Sequence, residues 1–231
     1  MTNLMAAAAL FLGIHLAISG TGLRRMIIGK IGESRYIPAF ALASLAAIIW
    51  LCIAYSTFST SAANIVLFVP PQPAKALGVV AMAAAFCLVV PGVLRRNPTT
   101  AGQEQTRVDG ILRVTRHPFL TGVSLWAAFH VTATGRLAGS IFFGTFLILA
   151  VFGTHAIDRK AAQRRPEAWR DIAAQTSVIP FAAIAEGRNR FIAPEILDWR
   201  ITIAAMLFGL LFYFHGTLFG VAPFPAGLLA L

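Results

Sequence analysis

The five histidines of this chain are the side chains best suited to chemistry, because all of them lie in apolar stretches or at their ends. An ionisable side chain inside such a stretch is costly and marks a functional site by default. The same stretches have no Asp or Glu near their middle, so carboxylate proton relays and ordinary cation transport are not expected. The five are His15, His117, His130, His155 and His215.

Neutral imidazole is a good axial ligand for haem iron, and two helices can hold a haem between two histidines. With a helical rise of about 1.5 Å per residue, His15 and His130 lie within about 6 Å of the middle of their stretches. His130 and His215 are also similar in depth, so this second pair stays open. The sequence has no CxxCH motif, and we therefore expect a non-covalently bound haem b. The structural alternative for each histidine is a hydrogen bond between helices, worth about 1 kcal/mol or less.

The tripeptide Arg116-His117-Pro118 stands where a basic loop enters an apolar stretch. Proline suits the first position of a helix, so the arginine and the histidine directly precede a helix start. Such a pair can bind an anion, a haem propionate or a phosphate, and we take Arg116 and His117 as candidate catalytic residues. The alternative is that Arg116 only anchors the helix at the lipid headgroups.

The composition indicates that membrane helices position these residues. Of the 231 residues, 58% are hydrophobic and 12% are charged, whereas a soluble domain carries about 25% charged residues. A helix needs about 20 mostly apolar residues to cross the hydrocarbon core. We predict an all-α bundle of six transmembrane helices in a single membrane domain, residues 1–231. The predicted spans are Leu4–Gly22, Pro38–Thr57, Ala74–Leu94, Pro118–Gly135, Leu137–Ile157 and Ile201–Val221.

The basic residues predict the orientation of these spans. Of the 19 Lys and Arg residues, 17 fall in the loops that follow the first, third and fifth spans, and only Lys75 and Arg136 do not. Loops rich in Lys and Arg stay in the cytoplasm. Both termini are therefore predicted on the non-cytoplasmic side of a bacterial cytoplasmic (inner) membrane. Basic loops also account for the net charge of +10 without nucleic acid as a partner.

The longest inner segment, residues 158–200, contains a predicted helix. Pro166 followed by Glu167 is typical of a helix start, and Trp169 and Ile172 share one face three residues apart. We expect a short amphipathic helix that lies on the inner leaflet.

Several of these motifs resemble those of the NnrU family of bacterial membrane proteins, whose plant and cyanobacterial relatives include zeta-carotene isomerase. The resemblance spans nearly the whole chain, and its most specific feature is the step of 13 residues from His117 to His130. It rests on Leu12-Gly-Ile-His15, Arg113-Val-Thr-Arg-His-Pro118, Leu125-Trp-Ala-Ala-Phe-His130, Asp158-Arg-Lys160, Glu167-Ala-Trp-Arg170 and Ile179-Pro-Phe181.

The resemblance implies a function and a set of roles. The isomerase relatives bind haem b and isomerise a 15-cis double bond of a carotene without net redox change, while NnrU proteins are associated with denitrification and nitric oxide metabolism. By this resemblance His15 and His130 ligate the iron, His117 is an essential neighbour, and His155 is a looser match to a further cofactor-binding histidine. The implied partners are the lipid bilayer, a hydrophobic polyene substrate and denitrification proteins.

A more distant resemblance links the chain to the isoprenylcysteine-type membrane methyltransferases. In that family an Arg-His-Pro motif helps to bind S-adenosylmethionine at the inner face, and the matching positions are Arg116, His117, Pro118 and Glu167. Phe119 and Gly122 fit the rest of the pattern only in part. Methyl transfer is thus the alternative function, and a non-catalytic subunit that handles haem for denitrification enzymes is a third.

Overall fold

The computed structural model describes residues 1–18, 21–71, 74–100, 103 and 107–223, and the regular secondary structure in these residues is helical. Residues 19 and 20 of the first predicted span and residues 224–231 of the predicted domain lie outside the described residues. The helices are α1 (Thr2–Leu12), a π-helix (Gly13–Ile18), α2 (Leu23–Ile31), α3 (Glu33–Ser59), α4 (Ala74–Leu94), α5 (Ile111–Val114), α6 (Pro118–Thr134), α7 (Leu137–Arg164), α8 (Pro166–Gln175), α9 (Ala182–Ala185), α10 (Ala193–Ile196) and α11 (Trp199–Phe219).

Four helices of the described chain are long and apolar enough to cross a membrane: α3, α4, α7 and α11. A fifth is present if Thr2–Ile18 and Leu23–Ile31, whose axes differ by 81°, form one span. Helix α6 has 17 residues. The chain is therefore an all-helical, multi-pass membrane protein, and the sixth span and the side of the termini stay predictions.

Several helices extend beyond the apolar stretches that predicted them. Helix α3 begins at Glu33, five residues before the predicted start at Pro38, after Gly32 makes a turn with φ of 81°. Helix α7 continues past the predicted end at Ile157 to Arg164, so Asp158 lies inside a helix. Hydropathy locates the part of a helix that suits lipid, whereas polar turns at its ends are equally helical.

The first predicted span, Leu4–Gly22, is not one regular helix. It changes from α-helical to π-helical hydrogen bonding at Gly13, and α2 then begins at Leu23 in another direction. Short π-helical segments are rare in proteins, and those that occur are often found at functional sites. The composition of this stretch gives no signal for the change, because its mean hydropathy remains that of a continuous span.

The chain divides into two compact units. Unit 1 comprises Met1–Pro70 and His130–Ala156. Its core joins α1, α3 and the start of α7 through buried Leu4, Leu51 and Ala138. Asn64 is also buried, and its side-chain oxygen accepts the N–H of Ala138 at 2.9 Å, which holds the loop after α3 against the start of α7.

Unit 2 comprises Pro71–Phe129 and Ile157–Leu231. Here α11 packs along α4, and α4 meets α6 closely at Gly122. A Cβ atom on Gly122 would lie 2.6 Å from Val89 Cγ2 and 2.7 Å from the Ala85 carbonyl oxygen, so this crossing requires glycine. Unit 2 also contains a polar cap, which we define as residues 107–117 and 158–198.

Candidate functional site

His117 is buried beside a partly buried ion pair in unit 2. Its side chain is 2% exposed, and its Nε2 atom is 2.6 Å from Asp158 Oδ1. The other carboxylate oxygen, Oδ2, accepts a hydrogen bond from Arg116 Nε at 3.0 Å. Because a carboxylate only accepts hydrogen bonds, Nε2 of His117 carries the hydrogen. One carboxylate therefore orients both residues of the sequence-predicted Arg116-His117 pair.

Backbone hydrogen bonds place this pair at the start of α6. Thr115 is extended, and the His117 carbonyl oxygen accepts the N–H of Thr121 at 2.8 Å in the first helical turn. On the other side, Thr115 Oγ1 donates to the Val178 carbonyl oxygen at 2.8 Å, and the Arg116 N–H donates to the Ser177 carbonyl oxygen at 2.9 Å. The segment before α6 is thus paired with the segment after α8.

The guanidinium of Arg116 has its partners inside the protein. Besides Asp158, its Nη1 donates to the carbonyl and hydroxyl oxygens of Thr176, each at 3.3 Å. Its Cζ lies 5.1 Å from the centre of the Trp169 ring, a cation–π distance. An anion bound by Arg116 would therefore compete with a carboxylate that is already paired with it.

The amphipathic helix predicted after Pro166 is present as α8, Pro166–Gln175. Part of its apolar face packs on the protein, because Ile172 is buried and Trp169 contacts Arg116. The position of α8 on the inner leaflet stays a prediction. Glu167, the fourth position of the methyltransferase motif, is exposed in the first turn of α8.

Asp158 is the residue of this cluster that sequence reasoning missed as a functional candidate. We placed it at the end of the fifth span and assigned it no partner. A usable signal existed, since Asp158 is the first carboxylate after that span and faces the same predicted side as Arg116 and His117. What the sequence could not supply was the helical extension of α7, which carries Asp158 at its surface.

Arg113 is a buried arginine that connects separate segments of the cap. Arg113 is 9% exposed, and its Nε and Nη2 donate to the two oxygens of Glu195 at 2.7 and 3.2 Å. Nη1 donates to Asn189 at 2.7 Å, and Glu195 also accepts the N–H of Gly110 at 3.2 Å. The hydrogen bond from Arg113, followed by that from Gly110, lowers the pKa of the Glu195 carboxyl below its ordinary value.

A third ion-pair group stands at the start of α11. Asp198 caps this helix by accepting the N–H of Arg200 at 2.9 Å, and it pairs with Arg95 at 2.9 Å and with the Arg200 side chain at 2.6 Å. Burial raises the pKa of Asp198, but these hydrogen bonds and charges together outweigh it and leave the pKa lowered. Arg95 also pairs with Asp109, so it joins two segments of the cap.

The remaining predicted site residues lie mostly in unit 1, where His15 occupies the π-helix. Its Nδ1 atom is 2.8 Å from the Phe11 carbonyl oxygen. A carbonyl oxygen accepts only, so Nδ1 carries the hydrogen and Nε2 of the neutral ring keeps its lone pair. Metal-ligating histidines commonly use one ring nitrogen in this way, which fixes the tautomer and the ring orientation.

A chain of aromatic rings connects His15 with His130 inside unit 1. The centroids of successive rings are 4.5 to 5.5 Å apart, distances typical of packed aromatic pairs. Tyr55 stacks on the middle of the chain, 4.4 Å from Phe142. The members of this aromatic chain, in order, are His15, Phe11, Phe146, Phe142, Phe143 and His130.

The other two histidines have different surroundings. His155 is exposed on α7, and its Nδ1 is 3.1 Å from the Val151 carbonyl oxygen. His215 lies on α11 in unit 2, with its Nδ1 2.7 Å from the Val221 carbonyl oxygen. Of the two histidine pairs left open by depth, the structure brings His15 and His130 into one unit and places His215 in the other.

Comparison with known proteins identifies relatives of this chain and the family that it matches. The chain is similar to the chloroplastic 15-cis-zeta-carotene isomerases of Arabidopsis thaliana, with 41% identity over 87 residues, and of Zea mays, with 35% identity over 81 residues. These matches cover 37% and 35% of this chain but only 23% and 22% of the relatives, so the chain spans less than a quarter of their length. No solved structure matches. Residues 3–223 match the family described as "NnrU protein", and the chain therefore belongs to the NnrU family.

Proposed function

We propose that this protein binds haem b through His15 and His130 and isomerises a cis double bond of a carotenoid-type polyene within a bacterial cytoplasmic membrane. The observation that carries the proposal is the hydrogen bond from His15 Nδ1 to the Phe11 carbonyl oxygen, which leaves Nε2 as a free electron-pair donor. The similarity to the two carotene isomerases supports the choice of substrate class.

The types of these two residues suit such a cofactor, and each ring packs on a phenylalanine of the aromatic chain. Two neutral imidazoles in apolar surroundings are a common ligand set of b-type haem. The ring of His15 is held in one tautomer, and the ring of His130 packs 4.7 Å from that of Phe143. A bound haem b would supply an iron able to act as a Lewis acid toward a polyene. The phenylalanines of the aromatic chain would keep water away from such a site.

The Arg116-His117-Asp158 cluster of unit 2 contains the two residues that the sequence predicts as catalytic. Asp158 holds the proton on Nε2 of His117 and keeps the ring in one orientation, while Arg116 balances the charge of the carboxylate. Methyl transfer receives less support from this geometry. Arg116 and His117 both engage Asp158, and Glu167 is exposed on α8.

The test of haem binding is a visible absorption spectrum of the detergent-purified protein, oxidised and then reduced with dithionite. We expect a strong Soret band and sharp α and β bands on reduction. His15→Ala and His130→Ala should each lose or shift these bands, whereas the control His215→Ala, in unit 2, should keep them. A protein that stays colourless after haem is supplied, or an unchanged spectrum of His130→Ala, contradicts the proposal.

Turnover separates an isomerase from an accessory protein that only carries haem. The reduced protein, reconstituted in lipid vesicles, is incubated with 15-cis-zeta-carotene, and the isomers are separated by chromatography. Conversion of the 15-cis double bond to the trans form supports the proposed isomerase activity. Haem bands without conversion would leave a haem-handling role, for which loss of denitrification activity in a deletion strain is the corresponding measurement.

A further inference from the structure

The loop between α8 and α9 directs two large apolar side chains away from the protein. Ile179 is 71% exposed and Phe181 is 51% exposed. The two residues that precede the loop, Thr176 and Ser177, are buried. We call residues 178–181 the tip loop. It belongs to the polar cap, where exposed apolar side chains are not accounted for by a transmembrane helix.

Backbone hydrogen bonds fix the conformation of the tip loop, although Phe181 has an unfavourable backbone angle. Phe181 has φ of 64°, and it is the non-glycine residue with positive φ in the described chain. A side chain larger than that of glycine is disfavoured in this region. The N–H of Phe181 donates to the Val114 carbonyl oxygen at 2.8 Å, next to the hydrogen bonds of Thr115 and Arg116 described above. The surrounding structure thus keeps both apolar side chains outward rather than letting them turn inward.

Two arginines stand beside this apolar tip, and each is paired with a carboxylate inside the cap. An open groove of about 450 Å³ is lined by Arg116 and Arg188 together with Val178, Ile179 and Ala182. Glu186 also lines the groove, and its carboxylate pairs with Arg188 at 2.6 Å. Apolar side chains flanked by arginines are typical of a surface that enters the headgroup region of an anionic membrane.

The hydrogen bonds of the tip loop hold it next to the start of α6. Its hydrogen-bond partners, residues 114–116, directly precede Pro118, where α6 begins. Phe119, in the first turn of α6, is 43% exposed. We propose that the tip loop inserts Ile179 and Phe181 into the boundary between headgroups and acyl chains of an anionic leaflet. The insertion fixes the Arg116-His117-Asp158 cluster at the membrane surface, whether or not the protein binds haem.

The proposal is tested by the depth of a spin label in vesicles of phosphatidylcholine and phosphatidylglycerol. The full chain, with Cys52 and Cys87 replaced by alanine, carries a nitroxide on Ile179→Cys or on Phe181→Cys. Its accessibility to oxygen, which concentrates in lipid, is compared with that to a water-soluble nickel chelate. The control is Glu167→Cys, an exposed polar position of the same cap.

We expect the labels at 179 and 181 to be reached by oxygen in preference to the nickel chelate, and the label at 167 to show the reverse. Equal access of the chelate at 179, 181 and 167 would overturn the proposal. Labels at 179 and 181 that are shielded from both reagents would also overturn it, because a protein partner or a second copy would then cover the tip loop. Retention of the wild-type melting temperature by each labelled variant verifies that the cap is folded.

Discussion

Asp158 is the acceptor that Arg116 and His117 share in the polar cluster of unit 2. Its two oxygens are shared between Arg116 and His117, and its own side chain is 17% exposed. Removal of one partner from a buried ion pair leaves the other charge without compensation, which costs more than the intact pair contributes. Stability and function should therefore both respond to this carboxylate.

We expect Asp158→Ala to lower the free energy of unfolding by about 3 kcal/mol, since buried His117 and partly buried Arg116 would lose the acceptor they share. Thermal unfolding in detergent, followed by fluorescence, measures the change. Asp171→Ala is the matched control, because Asp171 is exposed on α8 in the same cap. Equal melting temperatures of the two variants would show that Asp158 is not a structural centre of the cluster.

Glu195 should give the cap a specific sensitivity to acid. Arg113 and Gly110 hold the pKa of its carboxyl below the ordinary value of 4.5. A carboxyl whose pKa is lowered in the folded protein contributes stability that is complete above the ordinary pKa and is lost as the pH falls through the folded one. The melting temperature of the wild type should therefore fall with pH below about 4.5, and Glu195→Gln should lack this component.

The measurement is a series of melting curves at decreasing pH for wild type and Glu195→Gln. Glu186→Gln serves as the control, because Glu186 is more than half exposed in its pair with Arg188. A wild type and a Glu195→Gln variant with parallel pH profiles would contradict the assignment.

The site residues illustrate what a sequence can and cannot predict. The types of His15 and His130 select them as candidates, because ionisable side chains are rare in apolar stretches, and their role stays a prediction. Their hydrogen-bond partners were not predictable. The Phe11 carbonyl depends on a π-helix that has no composition signal, and the other contacts join segments far apart in the sequence.

Among the helix contacts, the crossing of α4 and α6 at Gly122 leaves no room for a larger side chain. A methyl group on Gly122 would meet the backbone oxygen of Ala85, which cannot move without displacing α4. Gly122→Ala should lower the free energy of unfolding by about 1–3 kcal/mol. Gly209→Ala on α11 should be neutral or stabilising, because nothing lies within 4 Å of its Cβ position and alanine favours a helix. Melting temperatures of the two variants provide the comparison; a larger loss at Gly209 would refute it.

The helices were predictable where apolar length alone defines them. Helix α4 has its predicted bounds, Ala74–Leu94, and the apolar parts of α3, α7 and α11 were all located. The polar ends of α3 and α7 and the break in the first span were not, since polar helical turns and changes of hydrogen-bonding pattern leave the hydropathy unaltered. The docking of α8 on Arg116 was also hidden, because an amphipathic face fits protein and lipid equally well.

For the whole molecule, the orientation in the membrane is the main untested prediction. We expect both ends of the chain outside the cytoplasm and the polar cap inside, as the basic loops require. Single cysteines at Thr2, Gly187 and Val221, in the chain without Cys52 and Cys87, are labelled in intact cells with a reagent that does not cross membranes.

Labelling of the cysteines at 2 and 221, but at 187 only after permeabilisation, would support an even number of crossings with both ends outside the cytoplasm. Labelling of only one end would mean an odd number of crossings, as expected if α6 does not span the bilayer. That result would contradict the predicted topology while leaving the family assignment intact.

The length of α6 has a consequence for the surrounding lipid. Its 17 residues extend about 25 Å, whereas the hydrocarbon core of a typical bilayer is about 30 Å thick. Hydrophobic mismatch of this kind is relieved when the bilayer thins around the short segment. If α6 crosses the bilayer as predicted, the lipids beside it should be compressed, and short-chain lipids should gather there in preference to long-chain ones.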